Sequence, residues 1–102
     1  MRAGGSLMYE ISDERYTHYR ELSQRAFAKA RICTPERTHL HTLATDGMRM
    51  VQSYLSDADH FESSGDRVRA FAAITYAHGW LDALARMGVL DVGHDSDLFT
   101  VD

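Results

Sequence analysis

Leu40-x-x-x-Ala44-x-x-Gly47-x-x-x-Val51-x-x-Tyr54-x-x-x-Ala58-x-x-Phe61 spaces its apolar and small residues alternately by four and three. A series of this kind, held for three heptads, turns one face of a helix inward. Ser63-Ser64-Gly65-Asp66 comes next. It supplies a glycine for the C′ position and an aspartate for a fresh N-cap, which together make a tight helix-to-helix turn. Beyond the turn, Val68, Phe71, Ala72, Ile74, Ala77, Leu81, Leu84 and Ala85 cover more than one side of a helix that stops near Gly88. That helix is expected to be the most enclosed.

Upstream, Ser12 is a suitable N-cap, and Asp13 and Glu14 sit where the positive end of a helix dipole favours them. Tyr19, Leu22, Ala26, Ala30 and Cys33 then read as one buried stripe, with Cys33 as a small buried hydrophobe. Thr34-Pro35 ends the stripe, because the residue before proline is pushed out of the α region. The next helix starts at Thr34 or Thr38, the second being preferred because Leu40 opens the heptad series. Short connections force neighbouring helices antiparallel. The expected fold is all-α: an antiparallel up-down-up three-helix bundle with a short C-terminal tail. Its helices cover about 13–33, 38–63 and 66–87, inside a bundle domain of residues 11–90. Residues 1–10 are expected to be a flexible extension without the apolar core of a signal peptide. In the tail, 91–102, Leu98, Phe99 and Val101 are candidates for docking on the bundle or on a partner.

With 102 residues the chain makes one domain, and its 44% hydrophobic and 25% charged residues are those of an ordinary globular protein. Fifteen acidic against 11 basic side chains leave a net charge of −4, which disfavours nucleic acid and anionic lipid as partners. No apolar run reaches the roughly 20 residues needed to cross a bilayer. The single cysteine cannot close an internal disulfide, so a reducing cytoplasm is the expected setting.

Tyr76-Ala77-His78-Gly79-Trp80-Leu81-Asp82-Ala83 places a histidine, a glycine, the lone tryptophan and an aspartate within an apolar helix. Glycine there costs about 1 kcal/mol against alanine, and buried polar groups need partners. Matching heights across antiparallel helices puts His78 near Arg20 and Glu21, and Asp82 near Gly47 and Arg25. The expected network is therefore His78, Asp82, Trp80 and Tyr76 with Arg25 (or Arg20) and Glu21. Gly47 and Gly79 are both expected to lean inward. His78 and Asp82 lie one turn apart and could form an acid–base or ligand pair; the plainer reading is a satisfied network that fixes helix register. Asp57, His60 and His18 resemble half of a carboxylate–histidine metal set, but the second half is missing. No glycine-rich phosphate loop, Cys-x-x-Cys or Gly-x-Ser-x-Gly occurs, and no cofactor is expected.

Tyr54-Leu55-x-Asp57-Ala58-x-x-Phe61, Gly65-Asp66, Ala70-Phe71-Ala72-Ala73-Ile74 and the Tyr76–Ala83 string closely resemble an archaeal family of small proteins, domain of unknown function 357. Arg15-Tyr16, the Leu22–Ala30 segment, His39-Leu40 and Leu98–Val101 extend the likeness over residues 10 to 101. The resemblance implies a compact three-helix bundle of archaeal cytoplasmic origin and carries no established activity. Where the family's pattern often has Gly after Asp-Ala, this chain has Leu84, a departure expected to tighten packing there. A fainter likeness links Asp57–Ala85 to the HEPN helical domains, several of which are ribonucleases. Four to six residues separate their Arg from the following His, whereas eight separate Arg69 from His78 and seven separate Arg31 from His39. The nuclease pattern is absent, leaving at most an RNA-associated domain of that shape. Two further readings stand: a non-catalytic module that binds another protein or itself, and a small enzyme or ligand-binding protein centred on His78 and Asp82.

Overall fold

The computed structural model describes residues 11–93. Three helices, α1 (Asp13–Lys29), α2 (His39–Ser63) and α3 (Arg67–Arg86), run up, down and up. Two short strands, β1 (Arg31–Ile32) and β2 (Leu90–Asp91), pair antiparallel with Arg31 opposite Asp91 and Ile32 opposite Leu90. The calls on residues 1–10 and on Leu98, Phe99 and Val101 fall outside the described residues.

Capping follows the sequence closely. The Ser12 hydroxyl accepts from the Arg15 amide, Thr38 from that of His41, and the Asp66 carboxylate from that of Arg69. At the α2–α3 turn Gly65 takes a φ of 82°, the left-handed region that suits glycine. The Asp66 amide donates to Phe61 O and the Gly65 amide to Glu62 O, so the orphan carbonyls of α2 are satisfied as α3 is being capped. Gly88 closes α3 in the same way: the Val89 amide donates to Leu84 O and the Gly88 amide to Ala85 O.

Helix α1 ends at Lys29, a turn earlier than expected. From there the chain is extended through β1 to Cys33, then bends at Thr34 and turns at Glu36-Arg37, where Arg37 takes a φ of 64°, before α2 begins. Cys33 is accordingly exposed rather than buried; its amide donates to Val89 O, and its thiol to Gly88 O at 3.4 Å. The β1–β2 pairing ties the end of α1 to the end of α3 and seats Val89, Leu90 and Val92 in the core. Nothing in the local pattern signals these strands, because a two-residue bridge has no alternation to read.

Helix α3 is central: it packs along both α2 and α1. One buried cluster joins Ala26, Ala44, Val51, Ala77, Leu81 and Leu84, and a second joins Tyr16, Ala58, Ala70, Ala73 and Ile74. The true stripe of α1 is Tyr16, Ser23, Ala26 and Ala30, rotated from the one built on Tyr19 and Leu22. Leu40 is exposed because the heptad series begins level with the end of α3, where that helix can no longer cover it. The face of α3 that carries Val68 (61% exposed), Tyr76 (63%) and Met87 (56%) is open. Apolar residues all round a helix are not the same as neighbours all round it.

Candidate functional site

The Tyr76–Ala83 stretch divides at the helix surface. Ala77 and Leu81 enter the core. His78 and Asp82 face α1, while Tyr76, Gly79, Trp80 and Ala83 line an open groove on the other side. The expected single network is thus two separate places.

On the α1 side, Ser23 Oγ lies 3.3 Å from His78 Nδ1, and Asp82 Oδ2 lies 3.9 Å from His78 Nε2. Both side chains of the His78–Asp82 pair are about a quarter exposed. Glu21 does not fill the place height matching gave it; Ser23, half a turn on, meets His78, and Glu21 is exposed, as is Arg25. Arg20 turns to Asp59, donating from Nε at 2.8 Å. Height matching between α1 and α2 assumed a tight turn. The extended residues after α1 let it stop about two turns short of the start of α2, which moves Arg20 level with Asp59.

Ser23, His78 and Asp82 follow one another in the order of a nucleophile, a base and an orienting carboxylate. The geometry does not make them one. Ser23 is 1% exposed, so no substrate carbonyl can approach its oxygen, and the carboxylate stands beyond hydrogen-bond distance of the imidazole. What is shown across the α1–α3 contact is the pairing of the buried Ser23 hydroxyl with the His78 ring. Sequence reading missed Ser23, although it stands seven residues after Tyr16 and three before Ala26, in phase with the buried stripe.

The other end of the bundle is pinned by Arg67. It donates to both Glu62 oxygens, at 3.2 and 2.6 Å, to Asp13 and to Ile11 O, and its guanidinium lies 5.1 Å from the Tyr16 ring centre. These hydrogen bonds raise its pKa further. The Tyr16 hydroxyl donates to Ala58 O at 3.4 Å. Burial, then the nearby Glu62 carboxylate, push its pKa up. Asp57, His60 and His18 are all exposed and do not converge; His60 lies against Phe61 and His18 against Tyr19. Among the described residues no group of three or more His, Cys, Asp or Glu side chains could hold a metal ion.

On the open side, Thr75, Tyr76, Gly79, Trp80 and Ala83 line a shallow groove of about 500 Å³. Tyr76 stacks on Tyr54 of α2, with ring centres 5.4 Å apart and planes 16° from parallel. Leu43 and Met50, on the same side of α2 as Tyr54, are also exposed. The two glycines expected to act alike do opposite things. A Cβ on Gly47 would lie 2.7 Å from Leu84 Cδ1, so its hydrogen is what lets α2 approach α3. A Cβ on Gly79 would meet no atom within 4 Å among the described residues.

Fold and site together define a small, mainly helical protein with a half-buried polar seam on one side of its central helix and, among the described residues, an uncovered apolar face on the other. More particularly, the chain belongs to the family described as Protein of unknown function (DUF357), whose model matches residues 18–90. No curated protein and no solved structure gave a match. Among the described residues no helix is long and apolar enough to cross a membrane.

Proposed function

We propose that this chain is a non-catalytic interaction module of the cytoplasm, and that the open face of α3 with its α2 border is where another protein chain sits. Gly79 carries the reading. It lies inside a helix, where glycine costs about 1 kcal/mol against alanine, and the space its side chain would occupy is open. Nothing among the described residues packs on that glycine; the close approach of a second helix would give it a reason. From Val68 to Ala83 the same stripe carries Ala72, Thr75, Tyr76 and Trp80, with exposed Arg69 at its Val68 end, an apolar and aromatic centre with a charged edge, as interfaces have. Exposed Cys33 is at home in a reducing compartment. On this reading Tyr76 and Trp80 are contact residues, and His78, Asp82 and Ser23 hold the helix that presents them.

The test uses the full chain immobilised and exposed to extract of its native cells, beside a Tyr76→Lys variant of equal melting temperature. A protein retained by the first and not by the second, or self-association lost in the second, is the expected result. Equal behaviour of the two would remove the open face from any such role.

A further inference from the structure

Resting on that reading, we infer that the occupant of the open face is a second copy of this chain, with α3 packed antiparallel on its counterpart about a two-fold axis between Gly79 and Trp80. The stripe is self-complementary in this register. Rotation about that axis brings Tyr76 over the partner's Ala83, Trp80 over the partner's Gly79 and Met87 over the partner's Ala72. Each large side chain then falls on a small one, as an isologous contact requires. The groove beside Gly79 and Ala83 is the hollow that receives the opposing ring.

Size supports the same occupant. Helix α3 has 20 residues and so runs about 30 Å. With the bordering side chains of α2, one helix spacing away, the face is about 20 Å wide. Each copy would bury about 600 Å², and the pair about 1,200 Å², the lower end for a specific interface. Gly93, the last described residue, lies beside Lys29, on the α1 side. Four residues, the length of Leu98–Val101, span at most about 14 Å, less than half of the face's length.

The experiment is sedimentation velocity on the full chain from about 1 µM to about 1 mM, a range suited to an interface of that size. Wild type is expected to pass from one chain mass to two. Tyr76→Lys and Ala83→Glu, both at exposed positions, should each keep their melting temperature and weaken association at least tenfold. An equimolar mixture of the two variants should dimerise again, because residue 76 of one copy opposes residue 83 of the other. A wild type that stays at one chain mass throughout overturns the inference. If that monomer still retains an extract protein that Tyr76→Lys loses, the interaction module stands with a different partner; if it retains nothing, both readings fall. A monomer whose melting temperature drops on Phe99→Asp assigns the face to the chain's own tail, and a dimer indifferent to both variants assigns pairing to another surface. Either result also overturns the second-copy inference.

Discussion

The two long sides of α3 carry similar residue types and have opposite fates. The side toward α1 and α2 buries Ala70, Ala73, Ile74, Ala77, Leu81, Leu84 and Ala85 and finds a partner for its one histidine. The outer side leaves Val68, Tyr76 and Met87 more than half exposed and keeps a glycine that packs against nothing within the described chain. Residue chemistry alone does not separate a core face from a contact face. What separates them is whether the described residues supply the neighbour.

Substitution should expose that asymmetry most strongly at Leu84. It is fully buried and abuts Gly47, so Leu84→Ala should remove about 2–5 kcal/mol by creating a cavity. In a domain of this size that lowers the melting temperature by more than about 10 °C. Tyr76→Ala, across the helix, should change it by less than about 4 °C at low concentration, since surface changes usually stay within about 0.5 kcal/mol. Thermal unfolding followed by circular dichroism distinguishes them, and equal losses would mean that the outer face is core after all. The polar seam comes next. His78→Leu leaves the buried Ser23 hydroxyl without its ring partner, at about 1–3 kcal/mol; adding Ser23→Ala should return much of that. Urea unfolding of the two singles and the double decides the matter, and strictly additive losses would show that Ser23 and His78 do not act as a pair. A smaller and sharper contrast compares the glycines. Gly79→Ala should raise monomer stability by about 1 kcal/mol through helix propensity alone. Gly47→Ala gains the same propensity but presses on Leu84, costing about 1–3 kcal/mol. The two changes should move the melting temperature in opposite directions, or leave Gly47→Ala unimproved. If both stabilise, the close approach of α2 to α3 is looser than its geometry indicates.

Much of this was legible in the sequence because it was encoded locally. The heptad series, the caps at Ser12, Thr38 and Asp66, and the turn glycines Gly65 and Gly88 each act within a few residues, so spacing reveals them. The site was only half legible. That His78 needs a mate could be read from its place in an apolar helix; that the mate is Ser23 depends on the rotation of α1, which the stripe built on Tyr19 and Leu22 misplaced. The β1–β2 bridge and the bonds of Arg67 to Asp13 and Ile11 O join residues distant in sequence without any periodic signal. The open face was hidden for another reason. An apolar stripe looks the same in sequence whether it is covered from within the chain or from outside.

The smallest effect tests the sealed end of the bundle, where Tyr16 lies under Arg67. Burial and the Glu62 carboxylate favour the neutral phenol in the folded chain, so its pKa is above the ordinary tyrosine value. A group that binds its proton more tightly when folded stabilises the fold only while the proton remains. The contribution is complete below the unfolded pKa, near 10, and is lost as pH rises through the folded one. Wild type should therefore lose stability across this alkaline window, and Tyr16→Phe should flatten part of that loss while costing at neutral pH only the hydroxyl's bond to Ala58 O, about 1 kcal/mol. The measurement is urea unfolding of both proteins between pH 8 and about pH 11. Parallel curves would mean that the phenol is as free to ionise in the bundle as in the unfolded chain, and that the end held by Arg67 is open to water in the way the outer face of α3 is.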